Sequence, residues 1–219
     1  MTTESLAART AALTASMTSQ APAGFLTPFE AEQAALRAAG VPAGVAKPGA
    51  TVPDVPLLDA AGEPTSLYRV TDGRPAVIVT FRGAWGPYCN VALSAYEAEL
   101  LPVLAERGIA LVGISPQKPE GTASTLEKNS LTFPVLSDPG NKLATELGFN
   151  TAPTPDALAT LAKLGIDVAG LNTDGTTGLP MPSVLLVDAD HTLRWIDVHP
   201  DYTTRTEAAD VVAALDALG

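Results

Sequence analysis

Apolar residues along the chain follow two spacings, a helical period near 3.6 and short continuous runs. Their order predicts a helical arm followed by alternating strands and helices. Leu6, Leu13 and Met17 stand amid alanines between Ser5 and Met17, which predicts a weakly amphipathic first helix. A second helix has clearer punctuation. Thr27 offers an N-cap, Pro28 the first helical position, Glu30 the third and Gly40 a left-handed stop. Val41 to Pro56 is rich in proline and glycine and reads as a linker. This pattern divides the chain into an N-terminal helical extension, 1–45, and one larger domain, 46–219.

Within the larger domain, Asp54–Leu58 and Thr65–Leu67 predict a hairpin around Ala61-Gly62. Ala76–Phe81 and Ile109–Ser115 are unbroken apolar runs of the kind buried on both faces of a sheet. Between them, Pro87–Arg107 places Leu93, Tyr96, Leu100 and Leu104 on one helical stripe, with Pro102 set to bend it and Gly108 to stop it. Glu120–Asn129, Asn141–Leu147 and Pro155–Leu164 read as helices and Pro134–Leu136 as a short strand. Ser183–Asp188 and Thr192–Val198 form a hairpin turning at Ala189-Asp190-His191. Arg205–Leu218 closes the chain as a helix with Val211, Val212, Leu215 and Leu218 inward. The fold class is α/β, a mixed sheet flanked by helices.

Charge and cysteine content narrow the chemistry. A net charge of −11 over 219 residues disfavours nucleic acid and anionic membrane surfaces as partners. No apolar run reaches the roughly 20 residues of a membrane span, and the first residues lack a secretory pattern. Cys89 is the only cysteine, so no internal disulfide can form, and a reducing cytoplasm is the expected setting. His191 and His199 are too far apart in sequence to suggest a metal site with it, and no cofactor is expected. The Asp174–Gly178 loop lacks the Gly-Lys-Ser/Thr of a phosphate cradle.

The densest signal is Phe81-Arg82-Gly83-Ala84-Trp85-Gly86-Pro87-Tyr88-Cys89-Asn90, where the Ala76 strand turns into a helix. Gly49–Leu57, Ile114-Ser115-Pro116-Gln117, Thr132–Asp138 and Met181–Asp188 accompany it. Together these stretches resemble the AhpC/TSA (peroxiredoxin-like) branch of the thioredoxin-fold superfamily over roughly 45–219. The resemblance implies a thioredoxin-like mixed sheet. It also implies a redox motif of the form Trp-Cys-Pro-Tyr-Cys, in which Gly86 takes the place of the first, attacking cysteine. A thiol there gains from free backbone N–H groups and the positive end of a helix dipole. Pro182 corresponds to the proline that faces this motif in related folds, and a cis bond before it is implied. Ordinary peroxiredoxins carry a threonine or serine and a proline where this chain has Gly83 and Val79, and an arginine where it has the Met181-Pro182 region.

Cys89 and Arg82 are thus the candidate catalytic residues, and Trp85, Gly86, Tyr88, Met181 and Pro182 the candidate substrate-binding residues. Each keeps a plainer reading. Cys89 serves equally as a small core residue, Arg82 as an ion-pair or strand-end donor, and Trp85 as a cover over the motif. One expectation is a thiol oxidoreductase acting on a hydroperoxide or disulfide, with an outside thiol as reductant and a homodimer compatible with the family. The other is a repurposed scaffold that binds a small anion or carboxylate at the Gly86 helix N-terminus.

Overall fold

The computed structural model describes residues 4–218. Seven strands form one sheet in the order β2-β1-β5-β4-β3-β8-β9. They span β1 Pro56–Leu58, β2 Pro64–Ser66, β3 Ala76–Thr80, β4 Ala110–Ser115, β5 Val135–Ser137, β8 Ser183–Val187 and β9 Leu193–Val198. β3, β4 and β5 run parallel, and β8 pairs antiparallel with β3. All five residues of β3 are buried, because it lies near the sheet centre with helices over both faces. Ile78 faces one apolar cluster, and Val77 and Val79 face the other.

The helix after β3 matches its sequence stripe: Leu93, Tyr96, Leu100 and Leu104 are all at most 1% exposed. It is not continuous. α4, Pro87–Ala95, passes through a π-helical turn at Tyr96–Leu100 into α5, Leu101–Glu106. Pro102 has no N–H to give, and the backbone absorbs this one turn earlier, with the Leu101 N–H reaching back to the Tyr96 carbonyl. α3 (Leu67–Thr71), α6 (Pro119–Lys128), α7 (Lys142–Glu146), α8 (Pro155–Lys163), α9 (Val168–Leu171) and α10 (Ala208–Leu218) complete the domain. A two-stranded ribbon of β6, Asn150–Thr151, and β7, Leu179–Pro180, lies apart from the main sheet and has no strong strand pattern in the sequence.

The extension folds as α1, Leu6–Gln20, and α2, Thr27–Ala39, and packs against the domain. Leu6 is buried in the core, and the Glu207 carboxylate accepts the Leu6 and Ala7 N–H groups at 2.9 and 2.8 Å. Residues 41–56 are pinned rather than loose. The Ala46 N–H donates to Leu147 and the Gly49 N–H to Leu193. Gly148, at φ +82°, lets the two segments meet, since a Cβ there would lie 2.3 Å from the Gly44 carbonyl oxygen.

Four sequence expectations need correction. Thr27 is the first helical residue of α2, not its cap; the Leu26 carbonyl takes the Phe29 and Glu30 N–H groups instead. α10 begins at Ala208, because Arg205 and Thr206 are engaged in the preceding loop, and Leu218 is exposed. The Met181–Pro182 bond is trans, as every peptide bond among the described residues is. Hydrogen bonds from the Met181 N–H to Phe149 and from the His199 N–H to the Pro182 carbonyl accompany this chain path into β8, and trans is the lower-energy isomer.

Candidate active site

The β3–α4 turn is held from both sides. The Gln117 Oε1 accepts the Ala84 N–H at 2.7 Å, and the Asn90 side-chain amide donates to the Ala84 carbonyl at 3.0 Å. Gly83 has φ +149°, and a Cβ there would stand 2.6 Å from Trp85 Nε1, so the indole folds back over a bare backbone. Gly86 is the N-cap of α4, with Pro87 at the first helical position as the sequence predicts. Cys89 lies at the third position, still in the first turn, and is 1% exposed.

Its sulfur has a charged neighbour that no motif announced. Arg205 Nη2 lies 3.3 Å from Cys89 Sγ, while Nη1 donates to the carbonyls of Tyr202 and Thr204. The loop carrying Arg205 is fixed by a polar network. Tyr96 Oη donates to the Thr206 carbonyl, Thr206 Oγ1 donates to Asp197, and His199 bridges Asp197 and Thr204. The hydrogen bond from His199 holds the Asp197 carboxyl below its ordinary range, against the opposing effect of burial. From the other side, Arg37 anchors the loop through Asp201 at 2.7 Å.

Arg82 is buried, 7% exposed, and not the surface ion-pair donor that one reading allowed. Its guanidinium carbon sits 4.1 Å from the Tyr202 ring centre and 5.5 Å from that of Trp85, two cation–π contacts. Its Nε–H has no acceptor. Desolvation pulls the Arg82 pKa below its ordinary value, partly offset by Tyr202, Glu32 and Cys89. Burial likewise pushes Tyr202 up to about 12. Glu32 is 6% exposed, and its Oε1 accepts the Thr154 N–H at 2.6 Å.

These groups line a cavity of about 320 Å³, at the small end of the range for ligand pockets. Arg82, Trp85, Gly86, Tyr88 and Cys89 all contribute to its wall. Tyr88 Oη lies 2.8 Å from Thr14 Oγ1, tying this wall to α1. Met181 and Pro182 are elsewhere: they line a much smaller void together with Arg82 and Tyr202. Sequence reasoning missed Arg205, Tyr202 and Glu32. Only Glu32 left a trace, since Phe29, Glu32 and Leu36 share a helical face and a carboxylate interrupts that apolar stripe.

Comparison with known proteins agrees with this architecture. A family model described as AhpC/TSA matches residues 48–196. A Mycobacterium tuberculosis protein bearing a peroxiredoxin name is 36% identical over 103 residues, which are 46% of this chain and 63% of that protein. The chain therefore spans less than two thirds of that relative's length. Peroxiredoxin Q, chloroplastic, of Sedum lineare is 32% identical over 130 residues, 57% of this chain and 68% of that protein. Among solved structures, peroxidoxin BcpB of Mycobacterium tuberculosis superposes with TM-score 0.60 at 22% identity, covering 79% of this chain and 98% of that one. A peroxiredoxin-like protein of Aquifex aeolicus gives TM-score 0.62 at 14% identity, covering 80% and 89%. At such identities the structural likeness speaks for the thioredoxin-like fold alone, and the match over 48–196 supplies the rest: the chain belongs to the AhpC/TSA family.

Proposed function

We propose that the protein is a peroxiredoxin-like thiol oxidoreductase with an atypical site, in which Cys89 carries the redox chemistry. The observation that carries this reading is the Arg205 guanidinium at 3.3 Å from the chain's single thiol, on the wall of a pocket. The guanidinium donates a hydrogen bond to this sulfur and holds it on the pocket wall, where a cysteine sulfur can act as a nucleophile. The sulfur attacks the distal oxygen of a hydroperoxide, the O–O bond breaks, and the electron pair leaves with the other oxygen, which takes a proton to become an alcohol or water. Sulfur is oxidised to the sulfenic acid and the peroxide is reduced.

With no second cysteine in the chain, recovery needs an outside thiol. One thiol condenses with the sulfenic acid, releasing water and forming a mixed disulfide; a second thiol exchanges with it and restores Cys89. Gly86, at the helix N-cap, stands where the family motif has its attacking cysteine, so turnover is slower than in relatives with both cysteines.

Peroxide loss with excess thiol reductant tests this. Wild-type protein consumes peroxide and Cys89→Ser does not. Arg205→Met, folded by circular dichroism, loses the charged hydrogen bond, worth roughly 1.5–3 kcal/mol or a factor of ten or more in kcat/KM. Equal rates in Cys89→Ser and wild type would refute the assignment.

A further inference from the structure

The cavity beside Cys89 is walled mostly by apolar side chains. Met17, Leu26 and Phe29 come from the extension, and Leu161, Leu164 and Ile166 from α8 and the segment after it. Leu164 is 53% exposed and forms an apolar lip. The extension residues lie outside the matched span 48–196. The same cavity is lined by Arg82, more than nine-tenths buried, with an Nε–H that has no acceptor. Among the described residues no carboxylate lies within ion-pair distance of Arg82 or Arg205. Glu32, which also lines the cavity, accepts the Thr154 N–H through Oε1 and acts on Arg82 from beyond ion-pair distance, and Glu30 is exposed.

A buried guanidinium that rests on two aromatic rings and has no carboxylate in ion-pair contact, with an apolar channel beside it, is complementary to one kind of molecule. We infer that the pocket binds an amphipathic monocarboxylate, with its carboxylate on Arg82 and its unbranched tail between the extension and α8. The tail removes the apolar wall from water, and the head brings a negative charge to the guanidinium on the cavity wall. This binding rests on the walls of the pocket and not on the thiol, so it holds whether or not Cys89 turns over.

The test is calorimetric titration of reduced wild-type and Cys89→Ser protein with decanoate. Both bind it saturably at one site. Decanol, with the same tail and no charge, and acetate, with the same head and no tail, each bind at least tenfold more weakly. Arg82→Met weakens decanoate at least tenfold. Should that variant fail to fold, Leu164→Asp, at an exposed position, carries the same test and weakens decanoate by a similar factor. Absence of decanoate binding, equal affinity for decanol, or indifference to both substitutions would overturn the inference. Because the titration is done on Cys89→Ser as well, loss of the redox reading leaves this outcome untouched.

Discussion

At the scale of single residues, the spacing between positions 86 and 89 is the most telling. A Cβ placed on Gly86 lies 3.1 Å from Cys89 Sγ. This is close to the roughly 3 Å between a Cβ and the far sulfur that an S–S bond of about 2.04 Å implies. The turn is therefore shaped for a pair of cysteines although it holds one. Gly86→Cys, mildly oxidised, should form an internal disulfide with Cys89, seen as a mass lower by two hydrogens. With excess thiol its peroxide loss should exceed wild type by far more than Cys89→Ser falls below it. Two persistent free thiols after oxidation would contradict this geometry. Cys89 and Arg82 were legible in the sequence because both flank one local motif. Arg205 was not, since it reaches Cys89 across 116 positions from a polar loop with no pattern of its own. The burial of Arg82 was equally hidden, because Tyr202 and the extension supply its cover.

At the scale of elements, apolar periodicity gave the central strands and the long helix after β3 within a residue or two at most boundaries. Short pieces such as β6, β7 and α9 escaped it, being too brief for a period to show. The π-helical turn places Leu100 at 0% exposure against the sheet. Leu100→Ala should cost about 2–5 kcal/mol in urea unfolding, and an unchanged midpoint would argue against that packing. α7 depends on Asp138, 1% exposed, whose carboxylate accepts the Lys142 and Leu143 N–H groups at 3.0 and 2.9 Å. Burial nevertheless pushes its pKa up to about 6, from about 3.9 in the unfolded chain. Between those values the folded state holds more protons, so this group's contribution to stability falls as pH rises from about 4 to 6, by about 3 kcal/mol. The stability advantage of wild type over Asp138→Asn should therefore shrink across that window. A difference independent of pH would show that the carboxyl is already ionised at its lower end.

At the scale of the whole molecule, the extension supplies one wall of the pocket beside the β3–α4 turn. It is tied on through Leu6 in the core, the Arg9–Glu99 ion pair, and Glu207 at the start of α1. Glu207→Ala should free that helix end, costing about 0.5–2 kcal/mol and speeding proteolysis near residues 5–10 while the domain resists. The sequence separated extension from domain but could not show that the extension walls the site, because helix docking depends on contacts between distant faces. No helix among the described residues is long and apolar enough to cross a membrane.

The oxidation product of Cys89 reports directly on its role as the reacting thiol. Reduced protein is exposed to one equivalent of hydroperoxide in the presence of a sulfenic-acid trap, digested and sequenced by tandem mass spectrometry. Trap adduct is expected on Cys89 in wild type, at least tenfold less in Arg205→Met, with a mixed disulfide in its place when a small thiol is added first. A Cys89 that stays unmodified while the peroxide is consumed would contradict it.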